Sequence, residues 1–344
     1  MPHRRTLSSL LLGAAAALPL STHAAPGYRY EPVVLVPFTP GQGSGVAKMI
    51  NNSGTICGTA SGSPGAFCWR DGRLIALQPL PGDEYAEPES INEKGEVVGS
   101  SYDVDTDRRR AVVFVDGAAH ELPVAVHASS TAMDINDAGD IVGSYSDRLG
   151  DAMAYVIRQG TVRDLGTLGQ TVRASVGAGI DNRGQVVGSS TTDQATPFGQ
   201  FRVLAFSDRR DTLTALPTPP EHSSHAARVN ARGQTVGFIE RDNGGAEGYR
   251  AVLWDADGMH VLSDLPSDAR GINNRGQVVG SVQTAPGGFL YEPGKGSHNL
   301  NDLIDPAAGL TFVYPQAINE RGQIVGYGCQ GESCGPMLLD PVGD

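Results

Sequence analysis

Basic residues are scarce in this chain: 26 Lys and Arg stand against 38 Asp and Glu, for a formal net charge of −12. Such a surface lacks the basic stripe that a phosphate backbone requires, which argues against a nucleic-acid partner. Aromatics make up only 6 % of the 344 residues and Cys occurs four times. The one long apolar run, Leu10–Leu20, is too short to cross ~30 Å of hydrocarbon, so no membrane span is expected. Neither a G-x-S-x-G elbow nor a P-loop occurs. What the chain does have is glycine, 45 residues of it, beside 40 % hydrophobic residues. That balance argues against both disorder and a helical bundle.

Residues 1–24 read as a secretory signal. Arg4 and Arg5 form its positive start, the apolar run its middle, and Thr22-His23-Ala24 its cleavage site. The pair Arg4-Arg5 leaves Sec and twin-arginine export both open. The mature chain, 25–344, is expected to be a single acidic domain, secreted or periplasmic and monomeric.

Internal repetition decides the architecture. A pattern I-[ND]-x-x-G-x-[VI]-V-G recurs seven times, starting at Ile50, Ile91, Ile135, Ile180, Val229, Ile272 and Ile318. The Asn or Asp of each copy fits the first position of a type I turn, where its side chain accepts from the backbone two residues on. The Gly three residues later fits the left-handed position that closes the hairpin. Short β-branched runs such as Val97-Val98 and Ile324-Val325 flank it as strands A and B. A third strand follows, carrying Trp69, Phe114, Tyr155, Phe206, Trp254, Tyr291 or Leu339. A fourth contains Leu77, Leu122, Leu165, Leu216, Leu265 or Leu303. Four strands in each ~45 residues is the arithmetic of a propeller blade. The seventh copy stops after strand C, while Val33–Phe38 is a lone strand resembling Leu74–Pro79. The prediction is an all-β, seven-bladed propeller whose N-terminal strand joins the last blade and so removes an open edge.

These copies resemble the HAF family of extracellular repeats, most clearly at Ile272–Gly280. The family's naming His-Ala-Phe triplet is matched only in part, at Gly65-Ala66-Phe67, and no copy keeps the His. The resemblance implies an exported repeat protein without an assigned activity, and it supplies no catalytic residues.

An even number of Cys in an exported chain favours disulfides. With Ser61–Pro64 as a hairpin loop, Cys57 faces Cys68; with Gln330–Ser333 as another, Cys329 faces Cys334. A Cys₄ metal site would need C-x₂-C spacings that are absent.

Several groups could carry a function. Strand A, the innermost of each blade, places Lys48, Glu89, Asp134, Arg228, Arg270 and Gln316 just before the motif. At a channel mouth these mixed charges would contact a polar ligand such as a glycan, or neutralise one another. Asp103, Asp105 and Asp107 alternate as calcium ligands do, but Arg108 follows where an EF-type loop wants Gly, so a solvated loop is expected. His222 and His225, on the Pro-rich stretch before the fifth copy, lack a third zinc ligand. Lys94, Arg183, Arg232, Arg275 and Arg321 recur beside the turn Gly; exposed turn positions explain them, with a polyanion-binding face as the sharper alternative. The sequence therefore reads as a binding or interaction module for a polysaccharide or envelope protein, with no cofactor and no catalytic residue assigned. The alternative is a propeller hydrolase or lyase acting at the channel face. Fold alone does not separate the two.

Overall fold

The computed structural model describes residues 29–36, 45–61, 65–124, 129–146, 150–209, 211–242, 248–284 and 287–342. The expected signal, Pro37 and Phe38 lie outside them. Seven four-stranded antiparallel sheets follow one another around a central axis. The first comprises Val46–Ile50, Ile56–Thr59, Ala66–Arg70 and Arg73–Leu77, from inside to outside. The innermost strands of the other blades are Tyr85–Ile91, Ser130–Ile135, Ser175–Ile180, His222–Val229, Ser267–Ile272 and Thr311–Ile318. Among the described residues only two short 3₁₀ turns, Leu300–Leu303 and Pro306–Ala308, interrupt the strands. The protein is a seven-bladed β-propeller.

The closing strand is Tyr30–Val34, which pairs antiparallel with Ser333–Pro341 as the outer strand of blade 7. It begins three residues upstream of the expected start, because Tyr30 already fills the core there. Both expected disulfides form, Cys57–Cys68 and Cys329–Cys334, each between residues directly opposed in a hairpin.

Apolar side chains pack between successive blades. Val142, Ala154 and Val156 of blade 3, for example, meet Ile180, Val186 and Phe206 of blade 4. The buried leucine just after the fourth strand is Leu262 in blade 5 and Leu300 in blade 6, the latter opening the 3₁₀ turn that also holds the expected Leu303; the expected Leu265 is half exposed. The backbone shows the equivalence, since Leu122, Leu165, Leu216 and Leu262 all donate their N–H to an Ala carbonyl of strand C. Leucine spacing alone cannot distinguish two leucines three residues apart. Similarly, Tyr155 and Phe206 face the glycine of strand B, two residues earlier in register than Trp69 or Trp254.

The repeated turn does more than close a hairpin. Asn92 Oδ1 accepts from the N–H groups of Lys94 and Glu96, at 3.1 and 2.9 Å. Its Nδ2 then donates across to the Asn136 carbonyl of the next blade, at 3.0 Å. The same cross-blade bond is made by Asn51, Asn136, Asn230, Asn273 and Asn319, the last reaching Asn51 and so closing the ring. Asp181 occupies the seventh position. A carboxylate has no hydrogen to give, and its buried Oδ2 is left without a partner. Restoring the amide with Asp181→Asn should stabilise the fold by about 1–3 kcal/mol, by adding a bond and removing an unpaired buried oxygen. A higher chemical-denaturation midpoint is the expected result; an unchanged or lower one would show that the ring carries no stability.

Candidate functional site

The channel is lined through an irregularity shared by all seven blades. In each, the register between strands A and B slips by one residue just before the turn. The extra residue is Lys48, Glu89, Met133, Ala178, Ala227, Arg270 or Gln316. A bulged residue is unpaired and its side chain is re-aimed. Four of the six residues expected at the channel therefore hold the bulge position. Asp134 and Arg228 lie one residue later, and a one-residue shift changes the face. Asp134 is buried between blades, accepting from Ser90 Oγ at 2.5 Å and from the Ile180 N–H at 2.9 Å. It is a structural residue at the junction of three blades.

A cavity of about 290 Å³ brings the remaining five together: Lys48, Glu89, Arg228, Arg270 and Gln316 all line it, with Phe238 and Asp268. Lys48 Nζ pairs with Glu89 at 2.5 Å, and Arg270 Nε with Asp268 at 2.7 Å. Arg228 instead reaches the Ala178 and Ala227 carbonyls, each at 3.0 Å, and has no carboxylate partner among the described residues. The Gln316 side-chain amide is likewise without a partner among them. The cavity thus holds two compensated ion pairs, one guanidinium with spare donors and one free amide. Sequence reasoning missed Asp268 and Phe238, which lie outside the repeat motif.

Paired aromatic rings stand on one face of the propeller, and one of them, Phe238, lines the cavity. Strand A begins, and strand B ends, on the face carrying the D–A and B–C connections. There Tyr85 stacks with Tyr102, Tyr314 with Tyr327, and His225 with Phe238, which also meets Tyr249. The Arg109 guanidinium lies 4.7 Å from the centre of the Tyr102 ring. Tyr85, Tyr249 and Tyr314 are substantially exposed, as are Phe198 and Phe201 on the same face in blade 4. A chain so poor in aromatics places an exposed set of them on one face.

The other candidates resolve differently. Asp103 accepts from Thr106 Oγ1 and N–H, which holds its carboxyl below the usual range, and Asp107 accepts from the Tyr102 hydroxyl. No cluster of metal-ligating side chains occurs among the described residues. His222 and His225 sit within an inner strand rather than a loop; His222 contacts the Pro220 carbonyl, while His225 packs on Phe238. Lys94, Arg183, Arg232, Arg275 and Arg321 are exposed on the opposite, A–B-turn face.

Burial of the His225 ring pushes its pKa down, and Glu240 at 3.5 Å opposes that only in part. Its folded pKa thus lies below the ordinary value near 6.5. The unfolded chain then binds more protons as pH falls through that value, so stability present above it declines toward the folded pKa. Melting temperature should fall as pH drops below about 6.5, and His225→Gln should flatten that slope. An identical slope in the variant would remove His225 from this account.

No family model matches the chain, and no curated protein does. Solved structures do. Virginiamycin B lyase from Staphylococcus aureus is 11 % identical and superposes with a TM-score of 0.53, covering 92 % of this chain and 100 % of its own. A streptogramin B lyase is 9 % identical, with a TM-score of 0.51 and the same coverage. The extracellular domain of a protein described as a one-component system of B. thetaiotaomicron is 10 % identical, with a TM-score of 0.54 over 92 % of this chain and 40 % of that one. Identities this low speak to the propeller fold alone.

Proposed function

We propose that this protein is an exported propeller that binds a polysaccharide at the cell envelope, as a monomer, through the aromatic-rimmed mouth of its channel. The observation that carries the reading is the coincidence of exposed aromatic pairs with a polar cavity whose Arg228 guanidinium and Gln316 amide are free to bind. Flat rings pack against the C–H faces of sugar rings, while the Gln316 amide and Arg228 guanidinium offer hydrogen bonds to hydroxyl or carboxylate groups. Two disulfides fit an oxidising compartment, and the resemblance of the turn motif to HAF-type extracellular repeats points the same way. Catalysis at this mouth is the weaker reading, because the two carboxylates lining the cavity are each held in an ion pair.

The test is a thermal-shift panel of envelope and plant oligosaccharides on the mature chain, followed by titration calorimetry. An oligosaccharide at about 100 times its Kd should add ~2.7 kcal/mol of stability. Tyr314→Ala and Tyr249→Ala should weaken that binding about tenfold, a loss of ~1.4 kcal/mol each. Binding unaffected by both variants would place the site elsewhere. No shift with any oligosaccharide, alongside retention of a single envelope protein on the immobilised propeller, would replace the glycan with a protein.

A further inference from the structure

One blade junction differs from the other six. Besides the ring of Asn side chains, a second ring joins the turns: the N–H after each Asn donates to the side chain at the same position in the next blade. Asn52 thus donates to Glu93, Glu93 to Asp137, Asp137 to Asn182, Ala231 to Asn274, Asn274 to Glu320 and Glu320 to Asn52. Between blades 4 and 5 this ring breaks, since Ala231 has no side-chain acceptor for Asn182. The first ring breaks at the same place, at Asp181. A cavity of about 520 Å³ opens at this junction on the A–B-turn face, away from the channel mouth, with Trp254 buried among its lining residues.

Two arginines line that cavity, Arg209 and Arg232. Neither has a carboxylate or hydrogen-bond partner for its side chain among the described residues. Arg209 reaches the turn that carries Arg232: a Cβ on Gly233 would fall 2.8 Å from Arg209 Nη2 and 3.2 Å from Gln185 Oε1. The preceding junction shows what is missing. There Arg158 ends strand C of blade 3 as Arg209 ends that of blade 4, and it lies 3.9 Å from Asp140 and 3.4 Å from Asp211. Asp140 directly follows its turn glycine; the equivalent residue at the open junction is Gln185, which binds Ser207 instead. Asp255, the one acidic residue lining the cavity among the described residues, is paired with His260 at 2.9 Å. Two arginines lining one cavity, neither with an ion-pair partner among the described residues, form an incomplete electrostatic unit, and guanidinium forks are shaped to grip an oxyanion.

The geometry points to a second binding site at the junction of blades 4 and 5, for a small ligand bearing a carboxylate or another oxyanion. Hydroxyls of Ser207 and Thr214 are placed to contact the ligand's polar body. This site is independent of the channel mouth and stands or falls without it.

Titration calorimetry with glucuronate, inorganic phosphate and glucose tests the assignment. Glucuronate or phosphate should bind, more weakly as salt is added, and glucose should not. Arg209→Gln and Arg232→Gln should each reduce anion affinity about tenfold or more. Arg183→Gln, the same charge change at an exposed turn of another junction, should leave it intact. Gln185→Asp supplies the carboxylate that neutralises Arg158 one junction earlier, and should abolish binding while the protein melts no lower. Three results would overturn the proposal: no anion binding in the millimolar range, glucose binding equally well, or Arg183→Gln weakening binding as much as Arg232→Gln. Glucuronate binding without phosphate binding would identify the ligand group as a carboxylate; binding of both would make it any oxyanion.

Discussion

Deleting residues 29–36 should remove most of the propeller's stability. The strand they contain supplies the outer edge of blade 7, in register from Tyr30 opposite Pro341 to Val34 opposite Met337. Tyr30 is 3 % exposed and packs with Leu290, Leu300, Phe312 and Met337; Leu35 is 5 % exposed and packs with Ile56, Val325 and Leu338. The segment therefore touches blades 6, 7 and 1 at once. Burial of these two side chains alone is worth ~3–6 kcal/mol. A whole domain holds only about 5–15 kcal/mol. The deletion also bares the edge of Ser333–Pro341, which invites intermolecular pairing. Arg29 adds an ion pair to the buried Glu292 at 2.7 Å, and that bond holds the Glu292 carboxyl below its usual range. This contribution is present above the ordinary carboxylate pKa near 4.5 and is lost as pH falls. The gap between the two proteins should accordingly narrow in acid. Urea unfolding followed by circular dichroism gives the answer; an unchanged midpoint would mean the ring does not depend on its closure.

A single methyl group at the end of the repeat motif should be almost as damaging. A Cβ on Gly188 would lie 2.0 Å from the Val176 carbonyl oxygen, and the glycines at 58, 99, 143, 237, 280 and 326 meet strand A equally closely. The cause is the bulge beside them, which drives the strand A carbonyl toward strand B. Gly188→Ala forces the two central strands apart or removes the bulge, so its cost should exceed the ~1–3 kcal/mol usual for overpacking. Ser189→Ala, one residue on, should be nearly neutral. Equal midpoints for the two variants would show that the bulge is soft, and with it the placement of the channel residues.

Much of this was legible in the sequence because repetition averages out local ambiguity. Seven copies of one turn revealed the blade count, the left-handed glycines and both hairpin disulfides, since each rests on residues close in the chain. Side-chain direction was harder. Lys48, Glu89, Arg270 and Gln316 hold the bulge position, whereas Asp134 and Arg228 lie one residue beyond it; Arg228 still lines the cavity, while Asp134 is buried between blades. A bulge adds a residue without any compositional mark, and the equivalents Met133 and Ala227 carry no charge to attract notice. The Arg209–Arg232 site was not visible either. It depends on two absences, of the Asn amide at Asp181 and of a carboxylate at Gln185, and only alignment of the seven blades in space shows that both fall at one junction.

The most direct test of the account is hydrogen–deuterium exchange on residues 25–344, with and without the oligosaccharide that raises their melting temperature most. Binding at the channel mouth predicts slowed exchange in residues 46–48, 225–228, 268–270 and 314–316, with the seven A–B turns unchanged. Protection confined to those turns, on the opposite face, would contradict it.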